Sequence, residues 1–127
     1  MSHSTNTALP LFQIWPRLAD QIPYLFLAAL PTSVREYAKT AHQQNINTLH
    51  VKCDNESGVL YGGNKTRKLG FLLGAAQVRG AKSVITFGAA GSNHALATAL
   101  YARECGMNAV LILGPQHNSF HVHENLQ

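Results

Sequence analysis

The segment Tyr61–Leu100 constrains this chain more than any other, because it sets two glycine-rich turns directly ahead of two helix-forming runs. After Gly62-Gly63-Asn64-Lys65, the apolar residues Leu69, Leu72, Leu73 and Ala76 recur at spacings of three and four. That spacing puts them on one helical face until Gly80 ends the run. After Gly88-Ala89-Ala90-Gly91, Ser92 opens a second helix over Asn93 to Glu104, ended by Gly106. Strand-like stretches flank both helices. Thr48 to Cys53 alternates and is rich in strand formers, Ser83 to Phe87 reads as a buried strand, and Asn108 to Leu113 is a third, closed by Gly114-Pro115. The order strand, helix, strand, helix, strand predicts an α/β fold with a parallel-sheet βαβαβ core. Ligands of such sheets gather beyond the carboxyl ends of the strands. Both glycine turns are strand-to-helix connections, so both are expected to face one crevice.

Ahead of this core, Leu11 to Asp20 predicts a short helix, and Ser33 is placed to cap a helix from Val34 to about Gln44. The chain thus divides into an N-terminal extension with helices (1–47), whose first nine residues read as a frayed polar terminus, and an α/β core (48–127). A length of 127 residues suits one domain, and 46% hydrophobic against 13% charged residues marks a globular chain. The net charge of +4 is scattered singly except between Lys65 and Lys68. Nucleic-acid binders gather their cations into a stripe, so no nucleic-acid partner is expected, and a small anion near Lys65 explains the cluster better. The apolar run Tyr24 to Leu30 is bounded by Pro23 and Pro31 and is far too short to span a bilayer, so no membrane partner is expected. Two isolated cysteines, Cys53 and Cys105, read as reduced core residues of a cytoplasmic protein.

The chemistry of the two turns has open alternatives. A strand, a glycine loop and a helix start form a socket for an anion, to which Ser92 and Asn93 add donors; Ser92 reads equally as a plain N-cap. Lys65 stands at the positive end of a helix beside Arg67 and Lys68, which favours a neutral, nucleophilic amine. The same lysine also reads as a solvated surface cation. His94 is either an acid or base or a solvent-facing residue of the first helical turn. His121 and His123 form an H-x-H pair without identifiable further metal ligands, so no metal is expected. Cys53 beside Asp54 lacks an assignable base and reads as core. No lysine follows the second glycine loop and GxGxxG is absent, so a generic nucleotide-binding module is a poorer match.

The strings YGGNKTRKLGFLL and GAAGSNHALATA, in this order and at this separation, resemble the pyridoxal-phosphate enzymes of the tryptophan-synthase-β fold type. The closest group is the 1-aminocyclopropane-1-carboxylate deaminase and D-cysteine desulfhydrase family. PLFQIWPRLADQIPYLFLAALPTSV, HVKCDNESGVLYGGNK, NAVLILGPQ and ENLQ carry the likeness over nearly the whole chain. The resemblance implies pyridoxal 5'-phosphate as cofactor, bound as an imine to Lys65, with Asn64 and Lys68 supporting the lysine turn. It implies that Asn93 lies near the cofactor ring and its phenolic oxygen. Ser92 is implied to be catalytic, meeting the substrate carboxylate and assisting proton chemistry. The loop Gly91, Ser92, Asn93 and His94 is implied to bind that carboxylate. The implied reaction is a lyase or deaminase reaction on a small amino acid of the 1-aminocyclopropane-1-carboxylate or D-cysteine type, releasing ammonia and a keto acid.

This chain departs from the family pattern at Cys53-Asp54-Asn55, where Arg-Asp-Asp is usual. It also departs at Gly70 (usually Glu), at Gly91 (usually Gln), and at His94, which is more like the desulfhydrase side than the Gln of the deaminases. The family's enzymes are well over twice as long. The resemblance therefore implies that this is the N-terminal portion of a two-domain enzyme, homodimeric at full length, with the phosphate-holding glycine loop in a missing C-terminal remainder. On that expectation the 127 residues alone are inactive. The alternative is a truncated, non-catalytic fragment that binds a small anion or a partner chain.

Overall fold

A computed structural model describes residues 9–127; most of the polar terminus expected to fray lies outside the described residues. The element order is α1 (Pro10–Ile14), β1 (Val34–Glu36), α2 (Ala38–Gln43), β2 (His50–Lys52), α3 (Lys65–Val78), β3 (Ser83–Ala89), α4 (Asn93–Glu104), β4 (Asn108–Gly114) and α5 (Phe120–Leu126). Short 3-10 turns lie at Pro16–Leu18 and Asp54–Glu56.

The glycine punctuation sets the central unit. Strand β3 pairs with β4 in parallel, from Ser83 opposite Asn108 to Ala89 opposite Gly114, and α4 is the crossover between them. Gly80 and Gly106 take positive φ values of 70° and 72°, which lets α3 and α4 end where side-chain-bearing residues would be strained. The buried cluster lies between the two helices: Leu69 and Leu73 of α3 meet Ala97, Tyr101 and Ala102 of α4, with Met107 beyond. Full burial of each leucine contributes about 1.5–3 kcal/mol. Val84 packs against this cluster and Thr86 is buried, whereas Ile85, Phe87, Val110 and Ile112 point away from it and are exposed. One face of the two-stranded sheet is therefore apolar and open.

Three sequence expectations are corrected. The first strand of the expected βαβαβ series, seen as β2, does not join the parallel sheet; it pairs antiparallel with β1, Val34 opposite Lys52 and Glu36 opposite His50. The segment opening at Val34 is thus a strand, and its helix, α2, begins only at Ala38 with Tyr37 at the cap position. Ser33 does not cap: its hydroxyl donates to Glu56 Oε2 at 2.8 Å, and Arg35 pairs with the same carboxylate, so the segment is held to the 3-10 turn ahead of the lysine turn. Leu72 is half exposed and does not share the buried face of Leu69 and Leu73. The second packed face of α3 is instead Gly70 and Gly74, which lie against Pro23–Leu25, with Leu25 N–H donating to Gly70 O at 3.0 Å. Cys53 is buried, Cys105 is half-buried, and both are free. Among the described residues no helix is long and apolar enough to cross a membrane.

Candidate active site

The lysine turn is built by backbone bonds that converge on one buried hydroxyl. Ser57 is fully buried; its Oγ donates to Gly63 O at 2.8 Å and accepts from Gly63 N–H at 3.1 Å. The same N–H also reaches Asp54 O at 2.7 Å. Gly63 has a φ of 104°, open to glycine, and a Cβ on Gly62 would sit 1.7 Å from Asn55 O. Only glycines pass this chain through the turn and deliver Lys65 as the first residue of α3. Asn64 is exposed at the N-cap position, without a side-chain capping bond among the described residues.

The charges around this turn are sorted by Asp54. Its Oδ1 accepts from Arg67 Nη2 at 2.8 Å and from Thr32 Oγ1 at 3.0 Å, and Lys52 Nζ lies 3.7 Å away. The Arg67 bond and the Thr32 bond hold the Asp54 carboxyl below its usual range. Arg67 is therefore paired with Asp54, which offsets part of its charge near Lys65, a pairing the sequence alone does not show.

The second loop follows the end of β3. Ser92 is the N-cap of α4, its Oγ accepting from Ala95 N–H at 3.2 Å. That bond uses an acceptor lone pair, and the hydroxyl proton has no partner among the described residues. The capping and ligand readings of Ser92 are thus compatible. Asn93 is exposed on the first turn of α4, and Asn125 of α5 donates to its Oδ1 at 2.7 Å. Gly91 N–H donates to Gln116 Oε1 at 2.9 Å. His94 is partly buried, with Nδ1 buried and without a hydrogen-bond partner among the described residues. Burial, then the ammonium groups of Lys68 and Lys65, push its pKa down, so the ring is neutral at pH 7.

The Coulombic effect of Lys68 and Lys65 on His94 is consistent with the two loops lying near one another. A second link ties them mechanically: Tyr101 of α4 donates its hydroxyl to Tyr61 O at 2.8 Å and accepts from Tyr61 N–H at 3.3 Å. Thr66, fully buried in the first turn of α3, donates to the same Tyr61 O at 3.1 Å. These bonds join α4, which opens behind Ser92 with Asn93 and His94, to the residues just ahead of Lys65 on α3. Sequence reasoning missed Ser57, Tyr101, Gln116 and Asn125. The first two carry no motif, and the last two reach the loop from 25 and 34 residues away. His121 and His123 instead contact Asn125 and Gln127, and among the described residues no three His, Cys, Asp or Glu side chains converge as a metal site.

The chain is similar to several known proteins. The chain is 43% identical over 96 residues to a Pyrococcus abyssi protein named as a candidate 1-aminocyclopropane-1-carboxylate deaminase, covering 76% of this chain and 29% of that one. It is 47% identical over 77 residues to the nocardicin C-9' epimerase of Nocardia uniformis subsp. tsuyamanensis, covering 61% and 24%. It is 37% identical over 93 residues to the D-cysteine desulfhydrase of Salmonella paratyphi A, covering 73% and 28%. A crystal structure of a homologue of the deaminase superposes with a TM-score of 0.73 at 35% identity, over 80% of this chain and 31% of that one. The chain therefore spans less than a third of the length of each of these proteins. Residues 25–125, which hold both loops and the parallel strand pair, match the family model for pyridoxal-phosphate-dependent enzymes, and the chain belongs to that family.

Proposed function

We propose that this chain supplies the lysine and the carboxylate-binding loop of a pyridoxal-phosphate-dependent lyase or deaminase that acts on a small amino acid and releases ammonia and a keto acid. The observation that carries the reading is the bonding of Tyr101 on α4 to Tyr61 just ahead of the lysine turn, which ties the helix opened by Ser92 to the helix opened by Lys65; the downward push on the His94 pKa, by burial and then by Lys68 and Lys65, supports it. The residues fit the cofactor. A primary amine stands at a helix start, an uncommitted hydroxyl proton stands on Ser92, and a buried ring nitrogen of His94 lacks a partner among the described residues. When bound, pyridoxal phosphate supplies an electron sink for bond cleavage at the substrate's α-carbon.

In this reading Lys65 holds the cofactor through its amine, and Asn93 stands at the ring edge. Asn64 shapes the lysine turn, and Lys68 adds positive charge beside it. Ser92 donates its hydroxyl proton to the substrate carboxylate and is placed to move a proton. Gly91 and the α4 helix start add the loop backbone and the dipole. His94, neutral, lies beside the same carboxylate without adding a charge. The domain division at about residue 48, a homodimeric complete enzyme and a cytoplasmic location belong to the same proposal.

The test is to reduce the cofactor-loaded protein with borohydride, digest it and map the pyridoxyl group. The expected position is Lys65, and the adduct is lost in Lys65→Ala but kept in Lys68→Ala. A label on Lys68 or Lys82 sinks the assignment. A second reading, binding of a small anion or partner chain without turnover, is favoured by one observation. Two cavities of about 520 and 430 Å³ include neither Lys65 nor Ser92: one is lined by residues from Leu11 to Leu18 such as Trp15, and the other by N-terminal residues such as Phe26 together with Lys52 and Arg67. Multiple turnover on D-cysteine or 1-aminocyclopropane-1-carboxylate, abolished by Lys65→Ala, rejects that second reading.

A further inference from the structure

The segment after β4 closes over the Ser-Asn loop with two carboxamides, and their atoms can be assigned in sequence. The two ends of an amide look alike by shape, so the assignment starts from atoms that cannot be exchanged. Gly91 O can only accept, so the Asn125 atom 2.8 Å from it is the nitrogen. The same nitrogen lies 2.7 Å from the Asn93 carboxamide, whose facing atom must then be Oδ1. Asn125 Nδ2 has two hydrogens, and these two oxygens take them; its third neighbour, His121 Nε2, is the most distant at 3.3 Å. Asn93 Nδ2 is left without a partner among the described residues, on an exposed side chain. On the other side of the loop Gly91 N–H is taken by Gln116 Oε1. Helix α5 packs directly on this glycine, where an added Cβ would come within 2.7 Å of Val122 Cγ2.

We propose that Asn125 is a positioning residue that locks the Asn93 carboxamide with its NH2 outward, so that the loop presents a donor to a ligand oxygen. Both backbone groups of Gly91 are engaged, so the side-chain donors left at this turn are the Ser92 hydroxyl and Asn93 Nδ2. The inference rests on the proposed function only in naming that oxygen, which is then the phenolic oxygen of pyridoxal phosphate. An outward NH2 stabilises an anionic oxygen. An outward Oδ1 would repel it. Asn125 sets which of the two is offered without touching the ligand itself.

The experiment uses side-chain amide exchange of the 15N-labelled chain, followed by titration with pyridoxal phosphate. In the unaltered protein the Asn125 NH2 is expected to exchange at least about tenfold more slowly than the Asn93 NH2, since a hydrogen-bonded group must open before it exchanges. Equal or reversed protection overturns the proposal, whether or not the cofactor binds. In Asn125→Asp the carboxylate accepts from Asn93, so protection is expected to move to the Asn93 NH2. Affinity for pyridoxal phosphate is expected to fall about tenfold, the size of one charge-assisted hydrogen bond. Unchanged affinity with transferred protection also overturns the proposal. If Asn125→Asp does not fold, Asn125→Ala takes its place, with free rotation of Asn93 and a smaller affinity loss expected. Absence of any Lys65 adduct in the unaltered protein counts against the cofactor reading and leaves the orientation of Asn93 to be decided by exchange alone.

Discussion

Two side chains near the lysine turn respond to acid in opposite chemical senses, His94 gaining a charge and Asp54 losing one, and the His94 window opens at the higher pH. His94 has a pKa below the usual imidazole value of 6.5, so between that value and its folded value the unfolded chain binds the extra proton. Its contribution to stability is complete above 6.5 and is lost as pH falls from there toward the folded value. Asp54 lies below the usual 3.8 because of Arg67 and Thr32, so its contribution is complete above 3.8 and is lost only as pH falls through its folded value. Urea midpoints measured against pH are therefore expected to fall in two stages. His94→Asn is expected to flatten the upper stage and leave the lower one, and Asp54→Asn the reverse. A single stage below pH 4 in the unaltered chain contradicts the placement of His94.

At the scale of elements, the packing of α3 depends on a missing side chain. Gly70→Ala gains about 1 kcal/mol of intrinsic helix propensity. Its Cβ, however, would lie 2.5 Å from Tyr24 Cε2 and 2.7 Å from Leu25 O, and the second of these is backbone. The clash outweighs the propensity, and a net destabilisation of about 1–3 kcal/mol is expected in denaturant unfolding. An unchanged or raised midpoint rejects the tight seating of α3 on Pro23–Leu25. The same helix shows what the sequence made legible. The start of α3 at Lys65, the limits of α4 and the β3–β4 pair are readable because glycines stand at backbone positions that only they fill easily. Strand β2 was readable within Thr48 to Cys53, but its partner β1 was hidden, since all three residues of β1 are exposed and no alternation of burial marks them. Leu72 misled because periodicity cannot tell that the second face of α3 is made of glycine. Lys65, Ser92, Asn93 and His94 could be named from the motifs. Their supports could not, because Ser57 and Tyr101 act through backbone groups and Asn125 through a contact 32 residues away.

For the whole molecule, the open sheet face sets solution behaviour. Ile85 and Phe87 are 62% and 68% exposed, beside Val110 and Ile112 at 48% and 51%. A two-stranded sheet is marginal alone and has unpaired edges, so an apolar face of this kind favours association. Sedimentation of the 127-residue chain is expected to show concentration-dependent association, reduced in Phe87→Lys. A chain that stays monomeric across the concentration range contradicts this. The Tyr101 hydroxyl has a different kind of consequence. It holds both the N–H and the C=O of Tyr61, so it is a two-point mount and not a single tether. A single tether fixes a distance; two points also fix a rotation. The backbone leading into the lysine turn is therefore expected to resist movement that α4 does not share. Lysine turn and serine loop are then expected to move together, so that a ligand that stills one of them also slows the other.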